Sequence, residues 1–213
     1  MNKRIYLLIM LMPVILSLLQ GCASIITVKQ DSVKFMERAE KLPLSVGLFL
    51  SDTTKNYLTP VEIASDTLNF EIGKALEASA IESLKKAFHE VSFIQKKNEI
   101  RPDIQRIIII EFGPSTKLIY GGATLSEHTA TVELLCEVYD RKWNMLWKRT
   151  ANGSVTRTTG EAGVASLIIG MLGESIQLKA LGSIVNDSLT AALENLNDQI
   201  LILDKDVIMG DKK

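Results

Sequence analysis

The sequence is poor in the residues that most often carry chemistry, with two cysteines and two histidines in 213 residues. Cys22 ends an apolar leader and Cys136 lies inside an alternating stretch, so no disulfide framework is indicated. The sequence also lacks a phosphate-binding loop, a dinucleotide fingerprint, a paired-cysteine metal spacing and a His-Glu-x-x-His motif. We therefore expect no enzymatic activity, no metal and no cofactor.

The charge is balanced, because 24 lysines and arginines stand against 25 aspartates and glutamates. Such a surface produces no long-range field that would attract nucleic acid, so nucleic acid is excluded as an expected partner. The hydrophobic fraction of 46% is raised by the apolar start of the chain. The remaining residues, about 190, have an ordinary globular composition and suffice for one well-packed domain.

Residues 1–21 predict an export signal. Lys3 and Arg4 make the start basic, and residues 5–19 carry no charge, which is the pattern of a leader with a short apolar core. The apolar run has about 15 residues and contains Pro13, whereas a membrane-spanning helix needs roughly 20. We expect a signal peptide that is removed, rather than a permanent span.

The leader ends in Leu19-Gln20-Gly21-Cys22, which resembles the lipobox of bacterial lipoprotein precursors, although Gln20 is a less usual occupant of its place. The resemblance implies that the Cys22 thiol receives a diacylglyceryl group, that the leader is removed, and that the new amino terminus is acylated with a fatty acid such as palmitate. Each buried methylene contributes about 0.8 kcal/mol, so several acyl chains hold a protein at a bilayer durably. Cys22 is thus expected to be a lipid anchor.

Two other interpretations of this terminus stay open: a secretory leader that happens to contain a cysteine, and a single-pass anchor. Similar lipoproteins with Asp directly after the cysteine tend to stay at the inner membrane, whereas Ala23 and Ser24 follow here. By that resemblance we expect a lipoprotein of the Gram-negative outer membrane that faces the periplasm.

Beyond the leader the sequence predicts an anchored tether, one domain and a tail. Residues 22–41 comprise the lipidated cysteine and a tether, because they mix short apolar pairs with charges and keep no period. Residues 42–199 carry the periodic segments and form the single predicted domain. Residues 200–213 begin with an apolar patch that could add an edge strand, and we expect their end to be disordered.

Strands are predicted where apolar residues alternate or where β-branched residues cluster. Alternation predicts a first strand over residues 42–50. A short apolar stretch at 91–94 and the isoleucine run at 107–112 predict two more, the latter central with both faces covered. Residues 128–139 and 145–158 alternate around a polar turn and predict an antiparallel hairpin.

Two amphipathic helices are predicted, over residues 70–90 and 176–196, where apolar residues recur at three- to four-residue spacing. Together with the strands they give an α+β fold. We expect a mixed, partly antiparallel sheet of about five strands with both helices on one face, which is a two-layer sandwich.

Short apolar patterns in the first strand, the first helix and the hairpin point to a family. They are Leu44-Ser45-Val46-Gly47-Leu48, Phe70-Glu71-Ile72-Gly73-Lys74-Ala75-Leu76, and Val138-Tyr139-Asp140 followed by Leu146-Trp147. The arrangement resembles small Gram-negative envelope lipoproteins of the YajG-like, ABC-type transport auxiliary and PelC-like (TolB amino-terminal-like) types. The resemblance implies an envelope role and carries over one functional residue, the lipobox cysteine.

Residues 160–173 depart from that family pattern, because they are apolar and glycine-spaced. They could offer a contact to a partner or a bilayer, through Leu167, Ile168, Ile169, Met171 and Leu172. The alternative is that the stretch begins the final helix and is buried. Trp143, near the hairpin turn, is a further candidate contact because aromatic residues anchor interfaces. Trp147 is expected to pack in the core.

The other groups that could carry chemistry have structural interpretations. His89 ends the first predicted helix, where a cation favours the helix dipole, and His128 begins a strand. Cys136 is expected to be a small buried hydrophobe. Glu133 and Glu137 could pair as carboxylates, but a solvated strand face is their expected environment.

These observations favour a non-catalytic scaffold or accessory component of an envelope assembly or export system, bound to an envelope protein or to copies of itself. The alternative is a carrier or binding module for a lipid or polysaccharide, with residues 167–172 lining a groove. A hydrolase is the third possibility, and it would require convergent polar residues in a cleft.

Overall fold

The computed structural model of the chain describes residues 24–28, 35, 40–63, 66–96, 100–121, 127–158 and 174–210. In chain order the elements are β1 (Ser24–Thr27), β2 (Leu42–Phe49), α1 (Asp52–Lys55), β3 (Leu58–Ile63), β4 (Asp66–Glu71), α2 (Gly73–Ala87), β5 (Phe88–Phe93), β6 (Arg106–Phe112), β7 (Lys117–Ile119), β8 (Glu127–Asp140), β9 (Met145–Thr158), α3 (Glu174–Asp198), a π-helical turn (Gln199–Leu203) and α4 (Lys205–Met209).

Six strands form the main sheet, in the order β5-β2-β6-β8, with β7 and β9 also paired to β8. β2 runs parallel to β5 and β6, and the remaining pairs are antiparallel. β6 lies between β2 and β8, and its four isoleucines are buried, as predicted for a central strand. The predicted fold class, an α+β sandwich with a mixed sheet, is confirmed.

Alternation along β8 decides which face of the main sheet is buried. Its inward side chains are buried and its other side chains are half-exposed; the inward ones are Ala130, Val132, Leu134, Cys136 and Val138. Helices α2 and α3 cover this inner face and share one apolar core with it. Each fully buried aliphatic side chain there contributes about 1.5 to 3 kcal/mol, so most of the stability comes from this face.

Helix α3 approaches β9 closely at Gly153. A Cβ atom at this residue would lie 2.0 Å from the carbonyl oxygen of Ser188 and 2.4 Å from the amide nitrogen of Ala192. The Ser188 hydroxyl also donates to the carbonyl of Ala130 at 2.9 Å. Glycine is therefore required where the helix backbone meets the strand.

The outer face of the main sheet has a smaller apolar cluster of its own. Ile94 and Ile104 lie over Gly47, whose Cβ would be 2.3 Å from Ile94 Cδ1. With Ile107 they are buried, and half-buried aromatic and aliphatic side chains surround them. The cluster covers the end of the face near the start of β6.

A second, three-stranded sheet has the order β1-β4-β3. β1 pairs in parallel with β4, and β3 pairs antiparallel with β4. Val28 and Phe35 are buried in the main core. The tether predicted for residues 22–41 is therefore wrong for the described part of that segment. The strand was missed because four residues are too few to show a period, and because its partner strand lies far along the chain.

The carboxyl end is also more ordered than predicted. Residues expected as an edge strand form the π-helical turn, and α4 follows it. Arg106 Nε donates to the carbonyl of Ile208 at 2.8 Å, and its Nη2 donates to that of Met209 at 2.9 Å. These bonds satisfy carbonyls that the end of a helix leaves unpaired, and they hold α4 against the sheet.

The first long helix is shorter than predicted. Phe70 lies in β4 and His89 lies in β5, so α2 occupies residues 73–87 only. Phe70 and Phe88 flank the helix and are fully buried. Their positions continue the apolar spacing beyond both helix ends, so the predicted helix was too long. The hairpin of β3 and β4 was missed because polar residues and Pro60 interrupt its alternation.

Candidate functional site

The turn between β8 and β9 is tightly hydrogen-bonded. One carboxylate oxygen of Asp140 accepts from the backbone N–H groups of Lys142 and Asn144, at 2.8 and 2.9 Å, and the other accepts from the Asn144 side chain at 2.7 Å. The bonds from Asn144 are the main cause of the lowered pKa of Asp140. The turn therefore presents a fixed shape at neutral pH.

Trp143 occupies a strained position in this turn. Its φ is +65°, in the left-handed region that bulky residues seldom adopt. Such a conformation costs about 1 to 3 kcal/mol and recurs at functional sites. The Trp143 ring packs at 58° to that of Tyr139, with centroids 5.6 Å apart, and the side chain is half-buried against the outer-face cluster.

Met145 lies beside this pair, opposite Tyr139 in the hairpin register, and is 51% exposed. We call Tyr139, Trp143 and Met145 the hairpin-end patch. A fixed turn, a strained tryptophan and an exposed methionine together make this patch a candidate contact surface.

A polar network borders the hairpin-end patch. The Tyr139 hydroxyl donates to one carboxylate oxygen of Glu137 at 2.6 Å, and Lys148 Nζ donates to the other at 2.7 Å. The bond to Glu137, followed by burial, raises the pKa of Tyr139 to about 12, and the same carboxylate raises the pKa of Lys148. Tyr139 is thus a neutral donor at physiological pH.

Glu133 has a different partner, so the two carboxylates considered from the sequence serve separate structural roles. Its carboxylate accepts from the N–H of Ser115 at 2.8 Å, and its carbonyl accepts from the N–H of Gly113 at 2.8 Å. These bonds fasten the bend between β6 and β7 to β8. A Cβ at Gly113 would collide with the Glu133 side chain.

Hydroxyl groups line the outer face of the hairpin beyond Glu133. Thr129 and Thr156 are hydrogen-bonded across the strands at 2.8 Å, and Thr131 and Ser154 at 3.2 Å. Cross-strand hydroxyl pairs of this kind stabilise a solvated sheet face. This agrees with the environment that the sequence predicted for the outward residues of β8.

Cys136 is fully buried on the inner face, as predicted, and burial raises the pKa of its thiol. His128 is also buried: its ring stacks on Tyr120 with centroids 4.8 Å apart, and its Nδ1 accepts from the N–H of Gly121 at 3.3 Å. Burial lowers the pKa of His128. His89 is exposed on β5 and does not end a helix, because the chain becomes extended at Phe88.

The other predicted site residues lie outside the described residues. These are Cys22, Leu167, Ile168, Ile169, Met171 and Leu172. Within the described ranges no group of three or more His, Cys, Asp or Glu side chains is arranged to hold a metal ion. No helix in that part of the chain has the length and apolar character needed to cross a membrane.

Among the exposed apolar residues in strands that sequence reasoning missed are Met145 and Ile25. The hairpin register gives the missing signal for Met145, because it places this residue opposite the outward-facing Tyr139. For Ile25 the signal is the Ile25-Ile26 pair, which begins three residues after Cys22, within the segment predicted to be a tether.

No protein-family model and no curated protein matches the sequence significantly. The fold, however, matches that of a protein from Xanthomonas campestris assigned to family DUF330. The TM-score is 0.51 at 12% identity, and the alignment covers 88% of this chain and 98% of that one. At this identity the match shows a shared fold and nothing about function.

Two weaker matches are a minor lipoprotein from Acinetobacter baumannii and the PelC dodecamer from Paraburkholderia phytofirmans. The first has a TM-score of 0.40 at 13% identity and covers 81% of this chain and 96% of that one. The second has a TM-score of 0.36 at 13% identity and covers 73% and 95%. With TM-scores below 0.5, neither match bears on the function of this chain or on lipid attachment at Cys22.

Proposed function

We propose that this protein is a lipoprotein of the bacterial outer membrane, held at the periplasmic surface by acyl chains on Cys22. Its folded body acts as a non-catalytic scaffold or accessory component of an envelope assembly or export system. It binds an envelope protein or further copies of itself.

The lipobox is the observation that carries this proposal. Leu19-Gln20-Gly21-Cys22 follows a charge-free segment with a basic start, so both the export signal and the thiol to be acylated are present in the right order. One acyl chain gives marginal binding, whereas two or more give stable attachment. Three chains on one residue would keep the body at the membrane without a spanning helix.

The structural use of the reactive groups supports a role without catalysis. The Cys136 thiol is buried with a raised pKa, and His128 is stacked and hydrogen-bonded. Glu133 fastens a bend and Glu137 holds a tyrosine and a lysine. Each of these four groups thus has a partner or an environment that opposes its use as a nucleophile, base or acid.

The hairpin-end patch supports a role in binding. The patch lies at the carboxyl end of β8. The small sheet lies towards the other end of β8, because β3 packs beside β7 and the neighbouring Tyr57 stacks on Phe112, the last residue of β6. β7 pairs with β8 at Ala130, nine residues before Tyr139, which is roughly 30 Å of strand. An anchor before β1 would therefore place the hairpin-end patch away from the membrane, where a partner can reach it.

The anchor is tested by replacing Cys22 with Ser in the full-length chain expressed in a Gram-negative host. We expect loss of incorporation of labelled palmitate and accumulation of the unprocessed precursor. Cys136→Ser serves as the matched control, since the buried thiol is not an acylation site, and it should be labelled like the parent. Unchanged labelling of the Cys22→Ser variant would end the lipoprotein proposal.

The scaffold role is tested on the lipidated protein extracted in mild detergent, by native mass spectrometry. Stoichiometric complexes with another protein, or a defined number of copies, are the expected result. A monomer that carries a co-purified lipid or polysaccharide would instead establish the carrier function and overturn the scaffold.

A further inference from the structure

The folded body begins almost directly after the proposed anchor. β1 starts at Ser24, two peptide units beyond Cys22. Since a chain extends at most about 3.6 Å per residue, the Cα atoms of Cys22 and Ser24 lie no more than about 7 Å apart. If Cys22 carries acyl chains, the small sheet is therefore held at the headgroups, with no spacer between them.

The outer face of the small sheet carries exposed apolar side chains at that place, between polar ones. In one cross-strand row Ile25 neighbours Asn69, which neighbours Pro60. Ile25 is 63% exposed and Pro60 is exposed as well. In the adjacent row Leu58, 38% exposed, neighbours Glu71.

This face points away from the core. Val61 and Phe70 are on the opposite side of the same strands, and both are buried in the main core. The exposed apolar side chains, Ile25, Leu58 and Pro60, are called the small-sheet face below. Contact between this face and a flat surface would leave the rest of the body above it.

The carboxylate beside Leu58 is paired with a lysine. Glu71 is only 14% exposed, and its carboxylate pairs with Lys74 Nζ at 2.8 Å. Anionic headgroups would repel an unpaired carboxylate, whereas an apolar surface bordered by a lysine favours the interface.

We propose that the small-sheet face rests on the bilayer that holds the acyl chains of Cys22, so that the body is docked on the membrane in a fixed orientation. The inference rests on the proposed lipid anchor. The apolar area is too small to bind a membrane alone. The anchor, however, already keeps the face at the bilayer, so even weak contacts are made intramolecularly.

The test uses the lipidated full-length protein in vesicles of phosphatidylethanolamine and phosphatidylglycerol. Ile25→Cys and Leu58→Cys are each labelled with an environment-sensitive NBD probe, and Met145→Cys is the control at the opposite end of the body. An acylated Cys22 has no free thiol and Cys136 is fully buried, so only the introduced cysteine reacts. We expect blue-shifted emission, and quenching by nitroxides on the lipid acyl chains, at 25 and 58 and not at 145.

Intact mass and circular dichroism accompany each labelled variant. An acylated, folded protein whose probes at 25 and 58 report water would overturn the docking and leave the anchor in place. An unmodified Cys22 would overturn the proposed function, and the docking with it. Equal quenching at all three positions would exclude the proposed orientation. A blue shift without nitroxide quenching, together with a dimer in native mass spectrometry, would show that a second copy covers the face.

Discussion

The two faces of the main sheet are built in different ways. On the inner face, helices α2 and α3 and the segment with α4 close over the strands, and backbone meets backbone at Gly153. On the outer face, the side chains of Ile94, Ile100 and Ile104 cover one end, and the rest carries polar or half-exposed groups. The inner face therefore fixes the fold, while the outer face and the hairpin end leave surface for contacts.

One glycine on each face, Gly153 under helix α3 and Gly47 under Ile94, shows the difference in detail. The missing Cβ of Gly153 would meet backbone atoms of α3, whereas that of Gly47 would meet the tip of the Ile94 side chain. Backbone in a packed helix yields little, but a side chain can move or be shortened. A side chain added on the inner face, under α3, should thus destabilise the fold more than one added on the outer face, under Ile94.

The largest effect is expected for Gly153→Ala. The added methyl would overlap the helix backbone, and we expect the free energy of unfolding to fall by about 3 kcal/mol, the upper end for overpacking. Urea denaturation followed by circular dichroism measures the change. Gly182→Ala is the matched control, since it lies in α3 with nothing within 4 Å of its Cβ, and it should raise stability by about 0.5 to 1 kcal/mol. Equal losses at 153 and 182 would contradict the backbone contact.

A smaller loss is expected for Gly47→Ala on the outer face, about 1 to 2 kcal/mol, because Ile94 can shift. The double variant Gly47→Ala/Ile94→Ala removes the atoms that clash. Its loss should be less than the sum of the two single losses, which denaturation of all three variants would show. Strict additivity would mean that the methyl meets something other than Ile94.

Trp143→Ala should cost still less stability, about 1 kcal/mol, because the ring is only half-buried. Binding at the hairpin-end patch should nevertheless be lost, since the ring is its largest surface. Native mass spectrometry of the detergent-extracted variant provides the measurement, and Trp147→Phe in the core is the comparison that should keep the complexes. Complexes that persist without the Trp143 ring would remove this patch from the proposal.

The smallest effect concerns proton binding by Tyr139. Glu137→Gln removes the carboxylate, so the pKa of Tyr139 should fall from about 12 towards its ordinary value of 10. Because the folded state raises this pKa, the associated stability is present below pH 10 and is lost as the pH rises towards 12. Absorbance at 295 nm against pH reports the titration. Glu133→Gln, whose carboxylate faces Ser115, should leave it unchanged.

Sequence periodicity predicted the long elements well. β9 has the predicted bounds, β8 differs by one residue at each end, and α3 covers the predicted helix. These segments repeat their pattern over a dozen residues or more, so local alternation is enough to define them. The burial of Cys136 followed from the same alternation.

The short strands and the candidate contact surfaces were less predictable. β1 and β7 have four and three residues, too few for a period to appear. Trp143 was selected from its place near a turn, but neither its left-handed backbone nor its contact with Tyr139 could be inferred from neighbouring residues. Exposure of Met145 and Ile25 depends on which strand lies opposite each of them.

The sequence by itself predicted the leader and the anchor cysteine, which stay predictions. It also determined the long strands and helices of the inner layer, because the pattern of each lies within one contiguous segment. Only the tertiary structure decided that β1 pairs with β4 and that Arg106 holds α4 from 102 residues away. It also decided which part of the outer face stays open. These features come from contacts between distant segments, whose free energy depends on the packing of the whole fold.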